Sequence, residues 1–201
     1  MYPTLLAFAS LVAAIASVGS EETSSSGTRM DAWTTVSLQD KFYLIYRSYR
    51  NDEGLGGTGK CVSIQLSEKD ETAKTTKSTM KYLDPKTNQM IEKNVRGKVA
   101  PSSGDTIQMS DTEGWTAEHK FAYSDYETCD VVVVLGTEEK KCELWVKQDY
   151  QQLPQAETDA VDSRAGTSVN QNIAKCEEEY NNQCPKEKKY RIYDTATCSS
   201  K

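Results

Sequence analysis

The chain predicts an all-β fold, a meander of eight antiparallel strands closed into a barrel. Extended segments recur at short, regular intervals between residues 41 and 150. Turn chemistry separates them: Asn51-Asp52-Glu53-Gly54, Asp84-Pro85, Pro101-Ser102-Ser103-Gly104, Asp111-Thr112-Glu113-Gly114 and Gly136. No long helical pattern interrupts the series. A two-sheet sandwich is the alternative packing of the same segments.

The elements follow in order. Residues 5–18 form an apolar run without a charge, too short to span a bilayer comfortably. Ala14-Ile15-Ala16 and Val18-Gly19-Ser20 offer small-residue cleavage sites, so residues 1–20 read as a secretory signal peptide. A buried N-terminal helix is the alternative. Residues 21–30 are polar and read as a flexible segment. Residues 31–201 then form one domain, with enough chain for a real core. Asp31-Ala32-Trp33 opens it as a short helical turn. The strands are expected at 41–50, 59–67, 75–83, 90–99, 106–110, 115–123, 128–135 and 142–150. Residues 151–170, with Pro154 and Gly166, read as a long surface loop. Residues 169–182 have helical spacing. Val169, Ile173, Cys176 and Tyr180 fall near one stripe, which would pack on the outer wall. Residues 190–193 form a short extended piece.

Composition narrows the function. The net charge of −6 disfavours a nucleic-acid partner and modestly favours a cationic ligand, although most such charges serve solubility. Six cysteines behind a signal peptide argue for three disulfides in an oxidising compartment, with the pairing left open. There is no Cys-x-x-Cys and His119 is the only histidine, so no metal site is expected. No nucleophile or hydrolase motif appears, so the chain reads as a binder without catalytic residues or cofactor. The glycine-rich stretch 54–60 precedes a strand, not a helix. It reads as a flexible rim loop, not a phosphate cradle.

Alternate strand residues share a face. Asp130, Val132 and Val134 therefore point one way, and so do Glu143, Trp145 and Lys147. If both sets face inward, two carboxylates and an indole enter one cavity, a combination suited to a small ammonium. The alternative places both acids on the solvated face and Trp145 in the core. A second cluster, Tyr49-Arg50-Asn51-Asp52, ends the first strand. Tyr49 can stack and donate, and Asp52 is either a cation acceptor or an ordinary turn residue. Glu92 is a third candidate acid.

These residues resemble a family, the tick salivary lipocalins of the histamine-binding type. Cys129-Asp130-Val131, then Glu143-Leu144-Trp145 after 11 residues, then Cys176 after a further 30, is similar to the family's amine-binding signature. Asp31-Ala32-Trp33, Tyr49-Arg50-Asn51-Asp52, Cys61-Val62 and Tyr123-Ser124-Asp125 also resemble the family in order and interval. The resemblance implies an eight-stranded lipocalin-type barrel with a C-terminal helix. It implies disulfides Cys61–Cys198, Cys129–Cys176 and Cys142–Cys184. It also implies two amine sites, one using Tyr49, Asp52 and Glu92, the other Asp130, Glu143 and Trp145. Leu55 stands where an aromatic is expected. Glu118 and Lys120 stand near positions expected to line the second site, and an inward Lys120 would repel a cation. The expected protein is a secreted, monomeric scavenger of histamine or serotonin that damps host inflammation. A lipid-mediator binder, or an inhibitor of complement or clotting acting through rim loops, is the alternative.

Overall fold

The computed structural model describes residues 30–151 and 167–199. The expected signal peptide, residues 21–29 and residues 152–166 of the expected 151–170 loop lie outside the described residues, while 167–170 are helical and not part of a loop. The chain opens with α1 (Ala32–Val36), capped by Asp31, whose Oδ1 accepts from Trp33 N at 3.0 Å. Eight strands follow: β1 (Lys41–Arg47), β2 (Lys60–Asp70), β3 (Thr75–Leu83), β4 (Met90–Val99), β5 (Thr106–Asp111), β6 (Thr116–Ser124), β7 (Cys129–Leu135) and β8 (Lys141–Lys147). Each pairs antiparallel with the next, and β1 pairs with both β2 and β8. The sheet therefore closes on itself, and the expected barrel, not the sandwich, is the architecture. A closed sheet leaves no long unpaired edge. The chain ends with α2 (Thr167–Gln183), β9 (Tyr190–Arg191) and α3 (Thr195–Cys198).

Closure depends on the C-terminal segment. β1 and β2 pair only over Lys41–Tyr43, then diverge. β9 takes the vacated side of β1, pairing Arg191 with Tyr46 and Tyr190 with Arg47. Ile192 N donates to Ile45 O, and Cys61 N donates to Ile192 O, each at 2.9 Å. The backbone groups freed by the divergence thus find partners. The Cys61–Cys198 disulfide fixes this segment across a sequence separation of 137. In the chain-entropy account such a loop contributes roughly 4–5 kcal/mol.

Two apolar clusters lie on opposite faces of the barrel wall. Inside are Phe42, Leu44, Val62, Met80, Val95, Ile107, Phe121, Val132 and Trp145. Outside, Val131, Val133, Leu144 and Val146 meet Ile173, Cys176 and Tyr180 of α2 and Cys184 just after it. The three-to-four residue spacing of that helical stripe puts its apolar side on the wall. Disulfides Cys129–Cys176 and Cys142–Cys184 clamp it there. β7 and β8 are buried on both faces, which explains the unbroken valine run of β7.

Besides two register shifts between β2 and β3, two irregularities near the buried acids reset which side chains enter the barrel. Pairing of β1 with β8 shifts between Leu44 and Tyr46, and pairing of β6 with β7 shifts between Phe121 and Tyr123. An extra residue on one strand flips the alternation beyond it. Arg47 and Tyr49 then follow Leu44 inward, and Ser124 follows Phe121.

The loop 51–59 is packed over one end of the barrel, in contrast to the free rim loop expected. Asp52 and Gly57 exchange backbone hydrogen bonds at 3.1 and 2.6 Å. Leu55, 1% exposed, points into the interior. Buried Arg47 donates through Nη2 to the carbonyls of Arg50 (2.8 Å) and Gly57 (2.6 Å). Gly54 lies against the Trp115 indole, where an added Cβ would fall 1.9 Å from Cε2. Gly54→Ala is therefore expected to destabilise by about 1–3 kcal/mol through overpacking. Thermal denaturation checks this: an unchanged melting temperature would mean the loop does not press on Trp115.

Candidate functional site

The interior encloses a cavity of about 790 Å3, counting the space open to solvent. Its wall is mainly apolar, and into it project three buried groups able to carry charge: Asp130, Glu143 and His119. Register places them in layers about 7 Å apart along the strands. Asp130 is level with Trp145 and Ser124, Glu143 with Val132 and Phe121, and His119 with Val134.

Glu143 is 1% exposed. Tyr49 donates its hydroxyl to Oε1, and Trp145 Nε1 donates to Oε2 at 2.8 Å. Burial, then the neighbouring Glu143 and Asp52 charges, hold the Tyr49 phenol far above its ordinary pKa, so it stays a donor. Tyr49 and Glu143 were expected in separate groups, but the β1 bulge brings them together. Each carboxylate oxygen keeps lone-pair capacity for a further donor. Arg47 is the register partner of Glu143, but its Nη2 donates to the loop carbonyls, and its guanidinium lies 5.3 Å from the Tyr49 ring centroid.

Asp130 is 4% exposed, and Ser124 is its hydrogen-bonding neighbour. Burial pushes its carboxyl up to about 7, opposed by the Ser124 bond and reinforced by the charge of Asp125. None of the described ion pairs involves Asp130 or Glu143. Two buried acids with no ion-paired cation among the described residues, the nearby Arg47 donating to loop carbonyls instead, form a receptive site for one.

The structure does not bring the other candidates into this group. Asp52 spends Oδ1 on Leu55 N at 3.0 Å, organising the loop turn, and does not line the cavity. Glu92 lies exposed on the outer face of β4 and pairs with Lys81 at 2.8 Å. Its neighbours Val95, Gly97 and Val99 are the buried members of that strand. Glu118 and Lys120 also point outward, and Lys120 approaches Asp105 at 3.8 Å. The expected repulsion by Lys120 is thereby removed. The inward residue of that stretch is His119, which the sequence reading passed over. The run Glu118-His119-Lys120-Phe121 carried the signal, since His119 shares a face with Phe121.

A family model described as tick histamine binding protein matches residues 20–200. The chain belongs to the tick histamine-binding family. A curated relative, the male-specific histamine-binding salivary protein of Rhipicephalus appendiculatus, is 27% identical to this family member over 134 residues. That match covers 61% of the chain and 66% of the relative, just under two thirds of its length. Among solved structures, apocrustacyanin C2 superposes with a TM-score of 0.52 at 12% identity, covering 78% of each chain. H1 crustacyanin from the lobster Homarus americanus does so with a TM-score of 0.50 at 12% identity, again covering 78% of each. At such identities the likeness shows the lipocalin-type fold alone. The family match supports small-ligand binding in the barrel.

Proposed function

We propose that this protein is a secreted salivary scavenger that binds a small biogenic amine, histamine or serotonin, and so damps host inflammation. One observation carries the reading: Asp130 and Glu143 are buried in one apolar barrel, and no described cation pairs with either. An ammonium would supply the missing charge, with Trp145 and Phe121 as aromatic wall. Histamine, of about eight heavy atoms, could reach at most about 12 kcal/mol at the ceiling of about 1.5 kcal/mol per atom. That corresponds to roughly nanomolar binding, so tight capture requires charge-assisted contacts in a preformed site. The family, and a relative named as a histamine-binding salivary protein, support the same reading.

The polarity of the wall favours a second reading. A mainly apolar lining also suits a lipid mediator. Titration calorimetry with histamine, serotonin and a leukotriene separates the two. Amine binding with no heat from the leukotriene supports the proposal, and leukotriene binding without amine binding overturns it.

A further inference from the structure

One buried polar group has no role in holding an ammonium. His119 is 4% exposed and lines the cavity, and its Nδ1 is buried without a hydrogen-bond partner. Its ladder neighbours on both sides, Ile107 and Val134, are apolar. Its ring leans on Trp115, with centroids 6.3 Å apart and planes at 54°, a contact that satisfies neither nitrogen. Nearly all buried polar atoms in folded proteins find a partner, so an unpartnered nitrogen on a ring that lines a binding cavity points to a ligand atom. A structural histidine would instead be expected to satisfy its ring from the surrounding protein.

Position narrows the chemistry of that atom. His119 stands one layer beyond Glu143, about 7 Å along the strands, with β7 between them. Apolar side chains, Leu55, Phe121 and Val132 among them, fill the wall between these groups. A matching ligand has an ammonium, an apolar body and a second polar group on the far side. A neutral imidazole has one donor and one acceptor nitrogen. A hydroxyl can meet either tautomer, because it both donates and accepts, whereas a ring N–H only donates.

We propose that His119 is a specificity-determining contact that receives an aromatic hydroxyl of the ligand while Glu143 holds its ammonium. The preferred ligand class is then a hydroxylated arylalkylamine. This inference rests on the amine reading above and adds the direction in which the amine lies.

The test uses serotonin and tryptamine, which differ only in the ring hydroxyl. Both are titrated calorimetrically into the full-length mature protein, His119→Leu and His119→Phe. The wild type should bind serotonin at least about tenfold more tightly, since a site with a hydrogen-bonding group for a hydroxyl rejects the analogue that lacks it. In both variants the ratio should fall to within about twofold. Neither variant should melt below the wild type without amine, because Nδ1 has no protein partner to lose. Equal wild-type affinities for the two amines, or a ratio unchanged in both variants, would overturn the assignment and leave the amine reading intact. Binding of neither amine would overturn the assignment, and histamine titrated alongside decides the amine reading: histamine binding would leave it intact, and its absence would overturn both. A lowered melting temperature in both variants would mark His119 as structural.

Discussion

Glu143→Gln is expected to weaken binding of a primary amine at least about thirtyfold. Truncating one partner of a buried, hydrogen-bonded charge pair typically costs 2–5 kcal/mol, much of it the cost of leaving the other charge unpaired. Here that stranded charge is the ligand's ammonium, which declines to enter. Glutamine is the cleaner probe because its amide oxygen still accepts from Tyr49 or Trp145. Glu143→Ala would leave both the Tyr49 hydroxyl and the Trp145 N–H without an acceptor. Each buried donor so orphaned costs about 1–3 kcal/mol, so the alanine variant should also melt lower. Calorimetry and thermal denaturation together separate the effects: affinity falls in both variants, stability mainly in the second. Wild-type affinity in Glu143→Gln would remove this carboxylate from the site.

Asp130 governs a pH dependence of similar size. Its carboxyl is raised by burial to about 7 in the folded protein, from the ordinary aspartate value of about 4. Below the unfolded value both states hold the proton, and the group's stability contribution is fully present. Between about pH 4 and 7 the unfolded chain releases the proton while the native state keeps it. Stability therefore falls as pH rises, because the native state binds more protons. The loss is on the order of 4 kcal/mol and is complete above about pH 7, where both states are ionised. Asp130→Asn removes this component, so the difference in unfolding free energy between the two proteins should change with pH only across that window. An ammonium beside Asp130 favours its ionised form, so the sign for binding is opposite. Affinity should rise with pH up to about 7 and then flatten, with protons released on binding. A flat profile in the wild type would place the ammonium away from Asp130.

Much of this was legible in the strands. Alternation puts Asp130 on one face with Val132 and Glu143 on one face with Trp145, but the unbroken apolar run of β7 left open whether those faces turn inward. The same parity argument, applied to β4, separates Glu92 from Val95, Gly97 and Val99 and sends it outward. Naming Glu92 as a ligand residue took position from the family resemblance and ignored that alternation. Asp52 followed ordinary turn chemistry, with its side chain accepting from a backbone N–H three residues on. The bulges were not legible. Nothing in Ile45 or Ala122 marks an extra residue, because bulges arise from pairing between strands distant in sequence. Strict alternation from Leu44 would have turned Tyr46 inward and Tyr49 outward. The shift instead delivers Tyr49 to Glu143 and buries Arg47 under the loop. His119 and Lys120 lie before the β6 bulge, so plain alternation with Phe121 already turns His119 inward and Lys120 outward, and the second site is receptive, not repulsive.

The most direct test of a cation site built from two buried acids is calorimetric titration of serotonin and histamine into wild type and an Asp130→Asn/Glu143→Gln double variant. The titrations are run at pH 7 in two buffers of different ionisation enthalpy. The wild type should bind amine and release protons, seen as a buffer-dependent heat. The folded double variant should show neither. Wild-type-like titrations from the double variant would contradict the account, since the barrel would then hold its amine without either carboxylate.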